Sequence, residues 1–182
     1  EIIWSTHLKV AEKIPDLLTI IVPRHPVRSQ AIAAKLSVQG ANAAIRSSNG
    51  NIKSETQIYL ADTMGELGLF YRLVDIVFVG KSLVNLGGQN LMEPALLNNT
   101  ILHGPYVWNF SEIVRELHEQ KSVIQVMDAE ELAKNLYKLF LDSDLQQRYA
   151  TLALNFAKKE SNVVDVIFKE LEPYFEEVKA KT

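Results

Sequence analysis

What most limits the folds open to this chain is an alternation of short apolar runs with stretches of 3.6-residue periodicity, kept up as far as Leu141. The apolar runs are Glu1 to Ser5, Leu18 to Val22, Ala43 to Arg46, Gln57 to Ala61, Ile76 to Val79, Thr100 to His103 and Val123 to Val126. Helical periodicity fills Lys9 to Ile14, Val27 to Gln39, Glu66 to Leu73, Leu91 to Leu97, Phe110 to Gln120 and Ala129 to Leu141. Runs so short and so apolar are strands buried on both faces, and intervening helices return the chain so that successive strands lie parallel. The sequence therefore predicts an α/β fold, a Rossmann-like parallel sheet with helices on both faces. Ligands of such sheets sit at the carboxyl ends of the strands.

Beyond Asp142 the alternation stops. Two helices are expected, Asp144 to Lys159 and Asn162 to Lys179, the second broken at Pro173, with Asp142-Ser143 and Ser161-Asn162 as cap signals. Residues 1–182 read as one domain, with 143–182 its C-terminal helices. The polar stretch Ser47 to Thr56 reads as a surface loop. The chain opens at Glu1, without an initiator methionine and already in strand-like sequence, as expected of an excised domain.

Composition narrows the chemistry. The 182 residues, 47% hydrophobic and 23% charged, suit a globular fold, and 19 basic against 22 acidic side chains give a net charge of -3. No global basic field exists to draw nucleic acid or anionic lipid, so phosphate recognition must be local. The absence of cysteine excludes disulfides, thiolate zinc sites and cysteine nucleophiles. No apolar run approaches the roughly 18 residues that suggest a membrane span.

Polar clusters fall just after predicted strands: Ser5-Thr6-His7, Pro23-Arg24-His25-Pro26, Asp62-Thr63-Met64-Gly65-Glu66, and the long block Gly80 to Pro94. In that block Gly87-Gly88 removes the Cβ barrier to close approach, and Asn90-x-x-Glu93-Pro94 reads as a helix start that aims backbone N–H groups at an anion. Arg24 and His25 lie on a stiff turn between two prolines, where Arg24 can clamp a phosphate or pack over a base. Its plainer reading is a structural pair with Asp62, and that of His25 is a helix cap. Gly65 frees the backbone at another helix start, where Glu66 can be a first-turn residue favoured by the helix dipole and Asp62 a cap. Asn90 and Glu93 stand in capping-box relation. With a helix starting at Pro94, Glu93 is instead free to accept from a ribose's hydroxyls. Ser82 and the N–H of Gly88 are candidates for phosphate, and Lys81 adds a charge beside them. A Walker loop is excluded, because the residue five before Gly80 is Asp75.

Taken in order, Ser5-Thr6-His7, Pro23-Arg24-His25-Pro26-x-Arg28, Asp62 to Tyr71, Gly80 to Ala95 and Gly104-Pro105-x-x-x-Asn109-Phe110 resemble the C-terminal half of the Kdo transferases. The resemblance implies half of a GT-B glycosyltransferase that moves 3-deoxy-D-manno-octulosonic acid (Kdo) from CMP-Kdo onto a lipid A precursor, at the cytoplasmic face of the bacterial inner membrane. It implies CMP contacts at Pro23, Arg24, Met64, Gly65, Glu66, Asn90, Leu91, Met92 and Glu93, with His25, Ser82 and Gly88 as possible phosphate or sugar contacts. Neither a metal nor a cofactor is implied, and the catalytic base, acceptor site and membrane attachment would lie on an N-terminal domain outside this chain. The pattern departs from the family at Leu8 to Glu12, at Val27, at Gln89, where the family has histidine, and at Lys81, where it has glycine. Two other readings stand beside it, a GT-B domain for a UDP- or GDP-sugar and a non-catalytic nucleotide-binding or interaction module.

Overall fold

The computed structural model describes residues 1–48 and 50–179, with side chains described as far as Ser161 and at Leu171. Its strands are β1 (Thr19–Ile21), β2 (Ala43–Ile45), β3 (Ile58–Leu60), β4 (Ile76–Phe78), β5 (Thr100–His103) and β6 (Val123–Gln125). Its α-helices are α1 (Ile2–Ala11), α2 (Ser29–Val38), α3 (Leu67–Leu73), α4 (Met92–Leu96), α5 (Ser111–Glu119), α6 (Ala129–Leu141) and α7 (Ser143–Lys179). Single 3₁₀ turns cover Pro26–Arg28, Arg46–Ser48 and Trp108–Phe110.

Every strand pair is parallel, in two three-stranded groups ordered β1-β3-β2 and β4-β5-β6. The central strands β3 and β5 are buried along their whole length. Side chains alternate across a strand, so each central strand feeds two cores. Ile58 and Leu60 pack with Trp4, Leu36 and Ala41 on one face of β3, whereas Tyr59 and Ala61 pack with Phe70 on the other. Around β5, Ile101 packs with Leu91, Val114 and Leu117, while Leu102 packs with Val126, Leu132 and Leu139. Helices thus cover both faces, as the apolar runs predict. Among the described residues no helix is long and apolar enough to cross a membrane.

Two expectations need correction. The run Glu1 to Ser5 is not a strand, because Ile2 to Ala11 form α1. Its buried residues Trp4, His7 and Val10 repeat every three positions, a helical stripe that the β-branched pair Ile2-Ile3 disguises. The stripe has work on two sides: Trp4 enters the core on β3, while Ile3 packs against the cluster of Leu102 and α6. At the other end, α7 is one helix from Ser143 to Lys179, running through both Ser161-Asn162 and Pro173. The Ser161 hydroxyl donates to the carbonyl of Ala157 at 2.9 Å, the back-bond of a residue inside a helix rather than of a cap.

Candidate functional site

Parallel pairing sets the carboxyl ends of β1 and β3 side by side in one group and those of β4 and β5 side by side in the other, and with them the clusters after Ile21, Leu60, Phe78 and His103. Ser5-Thr6-His7 is not among these strand ends. It lies within α1, where His7 is buried, stacks on Trp4 at 5.2 Å between ring centroids, and shares a 2.9 Å hydrogen bond with the Thr19 hydroxyl.

The first and third loops meet directly. Exposed Arg24 donates from Nη1 to Gln89 Oε1 at 3.0 Å, which joins the end of β1 to the loop after β4. Asp62, the alternative partner for Arg24, accepts instead from the N–H of Ser47 at 2.9 Å and its hydroxyl at 2.6 Å. Asp62 therefore ties down the loop after β2 and does not cap α3, whose N-cap is Glu66.

Glu66 is held in place by a residue outside the four polar clusters. Arg46, just past β2, donates from Nε at 2.6 Å and Nη2 at 2.5 Å to its two carboxylate oxygens, and the Thr63 hydroxyl adds a third bond. Arg46 also donates to the Tyr59 hydroxyl at 3.2 Å and lies over the Phe70 ring. The bonds from Arg46 first, then Thr63, lower the Glu66 carboxyl to about 2. With its side chain engaged, Glu66 has its backbone N–H to offer a ligand, beside Gly65 at a positive φ of 82° with open space where a Cβ would stand. Met64, 79% exposed, borders the same opening.

In the long block, α4 begins at Met92, so Pro94 is buried inside its first turn rather than at its start. Asn90 Oδ1 accepts from the N–H of Met92 at 2.9 Å, and its Nδ2 donates to Glu93 Oε1 at 3.1 Å. This is a capping arrangement that still leaves Glu93 exposed, while Leu91 is fully buried beneath it. The glycines here answer to the protein's own chain. A Cβ on Gly87 would overlap Asn109 Nδ2, and one on Gly104 would overlap the Ser82 carbonyl. The segment from Gly104 to Asn109 therefore closes down over the loop, with Gly88 buried at φ 73° against Tyr106 and Val107. Ser82 is fully buried, its hydroxyl donating to Val79 O at 2.6 Å and accepting from Gly104 N at 2.7 Å, so it builds the loop from within. Lys81 takes the left-handed conformation, φ 65°, that glycine adopts freely.

These strand-end loops thus offer a guanidinium, backbone N–H groups at a positive-φ glycine and an exposed carboxylate at a helix start. Such a set can bind an anion and, beside it, a pair of hydroxyls. No family model matches the chain. Over 177 residues, 97% of its length, it is 33% identical to the 3-deoxy-D-manno-octulosonic acid transferase of Haemophilus influenzae, of which it covers 42%. Among solved structures it matches the C-terminal CMP-Kdo binding domain of WaaA from Acinetobacter baumannii at 30% identity and a TM-score of 0.76, over 84% of this chain and 82% of that one. The chain belongs to the Kdo transferase family.

Its fold is the C-terminal half of a GT-B glycosyltransferase. The C-terminal domain of the group 1 glycosyl transferase LpcC from Francisella tularensis shares that fold at a TM-score of 0.55 and 16% identity, over 87% of this chain and 78% of the other. The chain spans about two fifths of the length of the curated Kdo transferases it matches.

Proposed function

We propose that this chain is the CMP-Kdo binding part of a transferase that passes Kdo to a lipid A precursor during lipopolysaccharide synthesis. The observation that carries the reading is the match, over most of both chains, to a domain described as binding CMP-Kdo. The same reading puts the complete enzyme at the cytoplasmic face of the inner membrane, with acceptor and catalytic base on residues outside this chain. It requires no cofactor beyond the nucleotide donor.

In this reading Pro23, Arg24 and Met64 line the nucleotide, with His25 beside its sugar or phosphate. The N–H groups of Gly65, Glu66 and Gly88 join Arg24 on the phosphate, and the segment Asn90, Leu91, Met92 and Glu93 meets the ribose through the Glu93 carboxylate. Departure of CMP concentrates negative charge on the phosphate, and preorganised donors stabilise that developing charge more than the ground state. Ser82 serves indirectly, by fixing the loop on which Gly88 stands.

The test is calorimetric titration of the chain with CMP, with UMP and UDP as competitors. Measurable heat at millimolar CMP or below and preference for CMP are expected, with no sugar transfer by the isolated chain. A folded chain that gives no heat with CMP, or that prefers UDP, refutes the reading.

A further inference from the structure

We propose that His103 and His118 are positioning residues of the donor site, and that the nucleotide is released as this histidine pair takes up protons. The proposal rests on the donor-site reading above, since the loop that the pair holds is the one assigned to the phosphate and ribose.

The two rings meet edge to face, 5.0 Å between centroids, with Nε2 to Nε2 at 2.9 Å. His103 ends β5 and is fully buried; His118 lies in the last turn of α5. Hydrogen-bond chemistry assigns the tautomers. Gly104 O lies 2.7 Å from His103 Nδ1 and can only accept, so Nδ1 bears the proton and the Nε2 of neutral His103 is an acceptor. The proton between the rings therefore belongs to His118 Nε2. The chain of bonds continues from Gly104 N–H to Ser82 Oγ at 2.7 Å, and from Ser82 Oγ–H to Val79 O at 2.6 Å. The N–H of Tyr106 donates to Ser82 O at 2.9 Å. A single path of short bonds thus runs from α5 to the start of the Gly80–Glu93 loop. It sits where a Cβ on Gly104 finds no room, so the two segments cannot be shifted independently.

Protonation acts on this path in two stages. The first proton goes to His118 Nδ1, since the gap already holds the Nε2 proton of His118; it leaves the bond between the rings intact but sets a full charge against the fully buried His103. The second sets two N–H donors against each other at 2.9 Å and breaks the bond. Among the described residues no carboxylate pairs with that charge; the last turn of α5 favours it on half-buried His118, and His103 has no such support. Gln125 stands opposite His103 on β6, Arg115 and Glu119 on α5 pair with each other at 3.9 Å, and among the described residues neither imidazole is ion-paired. Burial lowers the proton affinity of both rings, and in His103 the neighbouring His118 lowers it further against the opposing pull of the Gly104 carbonyl.

The experiment measures CMP affinity from pH 5.5 to 8 for the unmodified chain, His118→Ala and His118→Gln, with thermal unfolding of each as a control. Titration of CMP's own phosphate is common to all three, so differences report the protein. His118→Ala is expected to weaken CMP about fivefold at pH 7.5, the equivalent of one lost buried hydrogen bond. His118→Gln keeps an amide donor for His103 and cannot titrate. It is expected to bind as the unmodified chain does at pH 7.5 and to retain affinity at pH 5.5, where the unmodified chain loses it. A His118→Gln pH profile that follows the unmodified chain overturns the proposal, even should His118→Ala fail to fold. So does a folded His118→Ala with unchanged affinity. Absence of CMP binding by the unmodified chain at every pH overturns the donor-site reading itself, and the proposal with it.

Discussion

At Lys81 a side chain occupies backbone space that suits glycine. Its φ of 65° places Cβ against the following carbonyl, which costs about 1–2 kcal/mol in the left-handed region. Replacing it by glycine removes that cost and returns part of it as unfolded-chain entropy, so Lys81→Gly is expected to stabilise the chain by about 0.5–1 kcal/mol. A rise in urea midpoint at constant slope would show it; a fall would mean that the half-buried stem of Lys81 packs more than its backbone strains. Residues of this kind also mark how far the sequence alone reaches. Gly87 and Gly88 stand out in any reading, yet what fills their missing Cβ space, Asn109, Trp108, Tyr106 and Val107, lies some twenty residues along the chain. Arg46 gives no signal of its own, because its role is set by Glu66 at the end of a different strand.

Helix α1 shows the same limit for a whole element. Local sequence favours a strand at Ile2-Ile3, and only surfaces distant in sequence decide for a helix: the core on β3 that receives Trp4, and α6, which faces Lys9 and Lys13. The strands were legible because parallel strands buried on both faces need no partner to look apolar. The Lys9–Glu130 ion pair is exposed and adds little; the anchor is Trp4, 6% exposed and stacked on His7. Trp4→Ala is therefore expected to cost about 3–5 kcal/mol, the range for a large buried aromatic. Limited proteolysis should then cut the connection between Ala11 and Leu18 first, because α1 loses its hold on β3 before the sheet opens. A variant that unfolds at the midpoint of the unmodified chain, uncut there, would mean that α1 contributes little to the fold.

For the molecule as a whole, stability should depend on pH in two separate windows. His7, His103 and His118 all bind protons more weakly in the fold than the ordinary imidazole value of 6.5, each chiefly through burial. As pH falls below 6.5 the unfolded chain takes up protons that the fold refuses, so unfolding becomes progressively easier. The contribution of the neutral rings is complete above that pH and is lost beneath it. Glu66 acts later. Its carboxyl is lowered from 4.5 to about 2 by Arg46 and Thr63, so its contribution is intact above 4.5 and disappears as pH falls toward 2. Urea midpoints measured from pH 8 to pH 3 should hold level above 6.5, decline through the histidine window, and decline again below 4.5. Glu66→Gln is expected to make the lower decline shallower, Asp62 and Glu55 being lowered as well, while leaving the upper one in place, since none of the three histidines is bonded to it. A midpoint that stays level down to pH 5 would show that the three imidazoles accept protons without disturbing the fold. That is incompatible with a fully buried His103 whose only hydrogen-bond partners among the described residues are a carbonyl and a second ring.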